Sequence, residues 1–150
     1  MRRALQRTGY AEEETEEAVG RLRREGLLDD RRFAAAFATS RMAHSGLGRR
    51  RVLQALRLRG VAPRVADAGL SEALRDLSET DVLDRLARRR WRQRADAEPE
   101  QRLRGLWRFL LGRGFPPDLV RQRLNALWPR YGDALAGLEP LAPEDLEASD

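Results

Sequence analysis

The sequence predicts an all-α protein, built as a tandem array of three three-helix repeats. Apolar residues recur with helical periodicity along most of the chain, whereas the alternating pattern of a β-strand is nearly absent. One pattern also occurs three times: a basic helix end, a glycine, a hydrophobic residue and a second helix. Its glycines, Gly9, Gly60 and Gly114, lie 51 and 54 residues apart. A fixed period of about 50 residues is typical of arrays in which each unit buries its apolar face on the next.

The first unit is predicted over residues 1–46. A short helix over about 2–8 ends at Gly9, a residue suited to the left-handed conformation that stops a helix. Only eight residues precede this glycine, whereas about twelve and sixteen helical residues precede Gly60 and Gly114. Because two turns are too few for a stable isolated helix, we expect that the natural protein begins upstream and that this first helix is truncated.

The rest of the first unit is predicted as two helices separated near Gly26. A helix over about 12–25 carries five glutamates in its first turns, where the helix dipole favours acidic side chains. Asp29 then suits the N-cap of a third helix, with Leu28 and Phe33 placed as a hydrophobic staple. The residues expected to be buried on this helix are Phe33, Phe37 and the neighbouring alanines.

The second unit is predicted over residues 47–95. Its helices are expected at about 48–59, 63–75 and 79–94, with Pro63 at the first position of the second helix. The residues expected to face inward are Val52, Leu53, Ala55, Leu56, Ala66, Leu70, Ala73, Val82, Leu83, Leu86, Ala87 and Trp91.

The third unit is predicted over residues 96–136, behind a linker at 95–99. Pro116 and Pro117 open its second helix, and a short last helix is expected around Tyr131. Residues 137–150 are acidic and contain proline, which predicts a flexible tail. The residues expected to be buried are Leu103, Leu106, Trp107, Leu110, Leu111, Val120, Leu124 and Leu127.

The composition points to a basic protein of a reducing compartment. The net charge is +5 and the pI is about 10.9, and all 29 basic residues are arginine. Arginine suits phosphates and carboxylates, although a GC-rich genome also favours its codons. The chain has no cysteine, which excludes disulfides and thiolate chemistry, and no apolar run approaches the roughly 20 residues of a membrane span. We expect a cytoplasmic protein without a membrane partner.

Two helix faces are candidates for binding a polyanion. On the helix at 79–94 four arginines share the side opposite the apolar residues, and on the helix at 48–59 further arginines flank Gln54. Such stripes can follow a phosphate backbone; the alternative is that they only keep the chain soluble. The candidate residues are Arg49, Arg50, Arg51, Arg57, Arg85, Arg88, Arg89 and Arg92.

The residue inventory argues against an enzyme. The single histidine, His44, lies near a predicted helix end and is interpreted as a packed or helix-end residue rather than a catalytic base. The glutamates at 12–17 suit a helix dipole better than a metal, and Gly46 and Gly48 lack the spacing of a phosphate-binding loop. We expect no catalytic residue, no cofactor and no metal. The three tryptophans have helical spacing that favours packing over base stacking, and Phe109 lies off the apolar stripe of its helix.

Three segments together resemble the RecX family. They run from Gly26 to Ala34, from Gly48 to Val61 and from Arg108 to Phe115, and the similarity covers roughly residues 1–130. The resemblance implies a curved, elongated molecule of three three-helix repeats that binds the filament of the RecA recombinase on DNA and limits its growth. It also implies a regulator of DNA recombination, DNA repair and the SOS response, without catalytic residues.

We therefore expect a monomeric negative modulator of RecA that contacts DNA through its backbone, without sequence specificity. Two alternatives stay open. A sequence-specific helix-turn-helix protein needs polar base-reading residues at the start of a recognition helix, but the helices after Gly9, Gly60 and Gly114 begin with glutamates or prolines. A helical-repeat adaptor without a nucleic-acid role would use its arginines only for solubility. If one unit meets the polyanion, the arginine faces favour the middle one.

Overall fold

A computed structural model describes residues 12–139, where every regular element is a helix. The predicted all-α class is confirmed. The predicted helix at 2–8, the glycine at position 9 and the acidic segment after residue 139 lie outside the described residues. The elements are α1 (Glu12–Ala43), α2 (Arg49–Leu58), α3 (Pro63–Asp76), α4 (Glu79–Gln93), α5 (Pro99–Gly112), α6 (Pro117–Leu127), a 3₁₀ turn (Pro129–Tyr131) and α7 (Gly132–Ala136).

The predicted break at Gly26 is wrong, because α1 runs without interruption from Glu12 to Ala43. No proline lies within this stretch, and its two internal glycines, Gly20 and Gly26, each cost a helix only about 1 kcal/mol relative to alanine. A helix of 32 residues tolerates that cost. Asp29 is consequently an exposed residue inside the helix, not an N-cap.

Of the residues predicted to be buried on α1, the alanines next to the two phenylalanines are confirmed, whereas Phe33 is not buried. Phe33 is 46% exposed and Phe37 is half-buried, whereas Ala34 and Ala38 are fully buried. The reason is the close approach of α3: a Cβ added to Gly69 would lie 2.5 Å from the Cβ of Ala34. Only small side chains fit between two helices at this distance, so alanines rather than phenylalanines occupy the contact.

The helices share two hydrophobic cores. The first joins α1, α2 and α3, and the second joins α4, α5, α6 and α7. Most residues predicted to face inward in α2–α6 are buried in one of these cores. Leu53 and Ala55 of α2 are only half-buried, as are Leu86, Trp91 and Leu127 at the edge of the second core. The buried residues of the first core are Ala34, Ala38, Met42, Val52, Leu56, Val61, Ala66, Leu70 and Ala73. Those of the second are Val82, Leu83, Ala87, Leu103, Leu106, Trp107, Leu110, Leu111, Phe115, Val120, Leu124 and Leu135.

This grouping differs by one helix from the units predicted at 1–46, 47–95 and 96–136. The predicted second unit combines α2 and α3 with α4, whereas the shared core combines α2 and α3 with α1. A sequence period defines the length of a repeat but not its phase. The phase depends on which three helices bury a common core.

Two of the repeated glycines form the same helix stop. Gly60 and Gly114 have φ angles of 81° and 94°, in the left-handed region. In the first case the Gly60 N–H donates to the Arg57 carbonyl at 2.9 Å and the Val61 N–H donates to the Leu56 carbonyl at 3.1 Å. The same two bonds recur around Gly114, which defines a Schellman motif at both positions. The repeat joint inferred from the sequence is therefore a repeated backbone conformation.

Candidate polyanion-binding surface

The exposed face of α4 carries four of the predicted arginines in one stripe. The helix begins after Ser78, whose Oγ accepts a hydrogen bond from the backbone N–H of Asp81 at 3.2 Å. Apolar residues of α4 are buried on one side, so the opposite side faces solvent along about 10 Å of helix. Within residues 12–139 none of the four arginines forms an ion pair with an acidic side chain. The exposed residues are Arg85, Arg88, Arg89 and Arg92.

An ion pair beneath the stripe fixes α4 to α6. The Arg123 guanidinium donates two hydrogen bonds to the carboxylate of Asp84, at 2.9 and 2.6 Å. The hydrogen bond to Asp84 raises the pKa of Arg123 above its ordinary value. Both side chains are largely buried. The stripe is therefore held on a rigid support, which suits a surface that must match a regular partner.

Arg49 of the predicted set has a structural partner. Its side-chain Nε donates to one oxygen of the Glu79 carboxylate at 2.6 Å, and its backbone N–H donates to the other at 2.9 Å. Glu79 is only 5% exposed, and it is the first residue of α4. Its carboxylate thus caps the start of α2 from 30 residues away, at a position where Gly48 supplies no side-chain cap.

The other candidate arginines on α2 differ in exposure and in hydrogen bonding. Arg50 and Arg57 are exposed two turns apart, on a face that also exposes Gln54. Arg51 is half-buried, and its Nη1 donates to the carbonyl of Gly112 at 3.4 Å. Six of the eight predicted arginines are therefore exposed with side chains that, within residues 12–139, form no ion pair or hydrogen bond. Arg49 and Arg51 lie at the contact between the two cores.

The contact between the two cores is formed by closely packed backbone atoms of α2 and of the turn after α5. The N–H groups of Gly48 and Arg50 donate to the carbonyls of Arg113 and Gly114, at 2.7 and 3.0 Å. A Cβ on Gly48 would lie 2.4 Å from the backbone of Gly114, and a Cβ on Gly114 would lie 2.4 Å from the backbone of Arg51. Arg113 also donates to the carbonyls of Ser45 and Gly46. The start of α2 is thus bound to the turn after α5, which fixes the two arginine faces relative to each other.

Sequence reasoning missed a small pocket beside the α4 stripe. The guanidinium carbons of Arg90 and Arg113 lie 4.8 and 5.9 Å from the centre of the Phe109 ring. The position of Phe109 off its apolar stripe was the available signal. The pocket has a volume of about 220 Å³. Its lining residues are Leu86, Arg89, Arg90, Gln93, Phe109 and Arg113.

A second surface combines exposed apolar side chains with arginine. Phe33 is 46% exposed and Leu58 is 81% exposed. Phe37 packs 5.7 Å from Phe33, and the guanidinium of Arg59 lies 4.6 Å from its ring centre. This apolar patch is defined by Phe33, Phe37 and Arg59, together with Leu58, which directly precedes Arg59 at the end of α2. It has the mixed character of protein contact sites. The helical pattern of the sequence predicts a buried Phe33, so it does not predict this patch.

The tryptophans are packing residues. Trp107 is buried, and Trp91 and Trp128 stack on each other with ring centres 4.7 Å apart. The guanidinium of Arg102 lies 4.0 Å from the ring centre of Trp91. No open aromatic ladder for stacking bases is therefore built from these three side chains.

The described residues show no arrangement typical of a metal or a membrane protein. No group of three or more potential metal ligands occurs among them. His44 is exposed, just after the last residue of α1. Between residues 12 and 139, no helix combines the length and the apolar character that crossing a bilayer requires.

The fold and the surface define a class: an all-α protein of tandem three-helix units that presents exposed arginines, which have no acidic partner in the described part of the chain. Comparison with known proteins makes the family specific. Residues 29–70 match the family model described as the second three-helix domain of RecX, and residues 78–124 match its third three-helix domain. The two matched ranges correspond to the two hydrophobic cores. The chain belongs to the RecX family.

Curated relatives agree with this assignment. The Regulatory protein RecX of Trichlorobacter lovleyi is 38% identical over 126 residues, which cover 81% of this chain and 80% of the relative. Its namesake in Amycolatopsis mediterranei is 33% identical and covers 88% of this chain and 75% of the relative. No solved structure matches the chain. The resemblance inferred from three sequence segments is confirmed.

Proposed function

We propose that this protein is a negative modulator of the RecA recombinase, which binds the RecA–DNA filament and limits its extension or stability. Membership of the RecX family, whose relatives carry the name of regulatory proteins, supports a regulatory role. The observation that carries the proposal is the stripe of Arg85, Arg88, Arg89 and Arg92, exposed on a rigid helix and without an acidic partner among residues 12–139. Such a stripe attracts a polyanion over its whole length.

The mechanism requires only binding. An array whose units are about 50 residues long can contact neighbouring protomers of a filament, and occupying a growing end blocks the next protomer. The α4 stripe and the exposed Arg50 and Arg57 supply backbone contacts to DNA or contacts to acidic protein surfaces, without base recognition. The apolar patch around Leu58 supplies a protein contact. The protein acts as a cytoplasmic monomer, in DNA recombination, DNA repair and the SOS response.

The test is RecA ATPase activity on single-stranded DNA, with the protein titrated in at several salt concentrations. We expect inhibition at stoichiometric amounts that weakens as salt rises, since salt screens phosphate and carboxylate contacts. Activity that stays unchanged at stoichiometric protein would refute the proposal. Binding to a panel of duplexes separates the alternative, because a helix-turn-helix protein would discriminate between sequences.

A charge-matched pair of variants tests the stripe. Reversal of all four arginines of the α4 stripe to glutamate lowers the net charge from +5 to −3, and so does reversal of four exposed arginines elsewhere. We expect the first variant to lose inhibition and the second to retain most of it. Equal loss in both would show that only net charge matters. The control set is Arg24, Arg32, Arg64 and Arg75.

A further inference from the structure

The pocket beside the α4 stripe has hydrogen-bond donors that the described chain does not use. Within residues 12–139, Arg89 and Arg90 form no ion pair and their side chains donate no hydrogen bond. Arg113 uses its Nε and Nη2 for the carbonyls of Gly46 and Ser45. The pocket therefore offers several guanidinium donors from three neighbouring residues to one occupant.

The aromatic wall decides what kind of occupant fits. Arg90 lies over the Phe109 ring, so the ring holds a guanidinium rather than offering an open face to a base. A guanidinium held in this way keeps its in-plane N–H donors, which match a carboxylate. Leu86 and the ring edge supply apolar contact. At about 220 Å³ the pocket is smaller than a typical ligand site, and it suits amino-acid side chains.

These features call for a peptide in which an aliphatic residue is flanked by acids, and the chain itself has one. We propose that the pocket binds the segment Glu144-Asp145-Leu146-Glu147 of the same molecule. Residues 140–150 contain four acidic residues and no basic one, so residues 1–139 carry 29 basic and 20 acidic residues, a net charge of +9. The acidic side chains pair with the guanidinium groups, and Leu146 contacts Leu86 and Phe109.

The segment starts within reach of the pocket. The carbonyl of Glu139 accepts a hydrogen bond from Trp107 Nε1 at 3.1 Å, and Trp107 precedes Phe109 by two residues on α5. An extended chain advances about 3.3–3.6 Å per residue, so the five residues from Glu139 to Glu144 span about 17 Å. Half the circumference of a helix about 10–12 Å across is about 16–19 Å, and the seven residues from Glu139 to Leu146 span about 24 Å. The segment can therefore pass around α5 to the Phe109 side.

Binding of this segment makes the pocket self-occupied. A partner's acidic or phosphate group at the same arginines then has to displace it, and this competition rests on the proposed function. Binding of the segment to the pocket does not depend on the proposed function, so it is tested without RecA or DNA.

The absence of cysteine from the sequence permits a clean cross-linking test on the full-length chain. One variant combines Leu146→Cys with Gln93→Cys at the pocket, and the matched control combines Leu146→Cys with Gln122→Cys. Both glutamines are exposed. Gln122 adjoins Arg121, which donates to the carbonyl of Leu138 at 2.6 Å and so marks the start of the segment. If the segment did not bind the pocket, the closeness of its start to Gln122 would make cross-linking faster at Gln122→Cys, the control position, than at Gln93→Cys.

A short thiol-reactive cross-linker and mass spectrometry give the result. We expect intramolecular cross-linking at Gln93→Cys to be several-fold faster than at Gln122→Cys. Neutralising the three acids of the segment by Glu144→Gln, Asp145→Asn and Glu147→Gln removes this advantage, as does Arg90→Gln. Arg85 lies on α4 outside the pocket, so Arg85→Gln leaves the faster cross-linking at Gln93→Cys unchanged. A faster or equal rate at the control position overturns the proposal, and so does a product that joins two chains.

Discussion

The carboxylate of Glu79 binds Arg49 twice, once through the backbone N–H at 2.9 Å and once through the side-chain Nε at 2.6 Å. Glu79 begins α4 and Arg49 begins α2, so one buried acid connects the helix that carries the arginine stripe with the first core. The arrangement replaces the side-chain cap that Gly48 lacks. It also explains why an arginine that looks like a ligand-binding residue is part of the fold.

Glu79→Ala should destabilise the protein by about 2–3 kcal/mol, because it leaves the start of α2 uncapped and removes hydrogen bonds to a charged group. Glu72→Ala is the control, since Glu72 forms only an exposed ion pair with Arg31 at 3.7 Å. That pair is worth at most about 1 kcal/mol. Urea unfolding followed by circular dichroism measures both. Similar losses in the two variants would contradict the capping role.

The contact between the cores should be sensitive to a single methyl group. Gly60→Ala isolates the cost of a left-handed alanine, about 1–2 kcal/mol, since a Cβ there meets nothing within 4 Å. Gly114→Ala adds a clash with Arg51 to the same φ cost, and should lose about 1–3 kcal/mol more. Thermal unfolding compares them. Equal stability of the two variants would mean that the close contact with Arg51 does not form.

Two glycines inside helices should respond to alanine with opposite signs. Gly69→Ala places a Cβ 2.5 Å from that of Ala34 and should destabilise the protein by about 1–3 kcal/mol. Gly105→Ala meets nothing within 4 Å and should stabilise it by about 0.5–1 kcal/mol, through the higher helix propensity of alanine. Denaturant titration of both variants is the measurement. A stabilising Gly69→Ala would contradict the packing of α1 on α3.

DNA affinity should depend on salt through the α4 stripe. If Arg85 contacts a phosphate of single-stranded DNA, Arg85→Gln should reduce the slope of log K against log salt by about 0.7. Arg64→Gln, an exposed arginine of α3, should leave the slope unchanged. Fluorescence anisotropy over a salt series gives both slopes. An equal change in the two variants would indicate a general charge effect instead of a contact.

The apolar patch should affect partner binding more than stability. Leu58 is 81% exposed, so Leu58→Ser should change the free energy of unfolding by less than about 0.5 kcal/mol. We expect the same variant to inhibit RecA ATPase less, because an apolar contact with the filament is lost. Leu56→Ser, at a fully buried position, is the contrasting variant and should unfold the first core. If the Leu58→Ser variant inhibits RecA ATPase as fully as the unchanged protein, the apolar patch is not part of the interface with the filament.

Much of the fold was predictable from local pattern. The bounds of α2, α3 and α4 agree with the predicted helices within one residue. Prolines mark the starts of α3, α5 and α6, and the left-handed Gly60 and Gly114 mark the ends of α2 and α5. The predicted burial of Leu106 and Trp107 is confirmed, since five apolar residues at helical spacing leave only one face to bury. The break at Gly26 failed because a local stop signal was outweighed by the helix on both sides of it.

The candidate site was less predictable than the helices. Helical geometry alone placed the α4 stripe on the exposed side, and its four arginines are exposed. Helical geometry could not show that Arg49 forms an ion pair with Glu79, or that Arg113 and Phe109 form a pocket with Arg90. The residues in each of these contacts come from different helices.

The sequence by itself determined the all-α class, the glycine stops and the arginine-rich faces, since these follow from residues within a few positions of one another. Only the tertiary structure decided which helices share a core, that Ala34 and not Phe33 faces α3, and which arginines have no partner among residues 12–139. The physical reason is distance along the chain. Close packing of Gly69 on Ala34 and of Gly48 on Gly114, and the capping of α2 by Glu79, join residues 30 or more positions apart. No local pattern encodes such contacts.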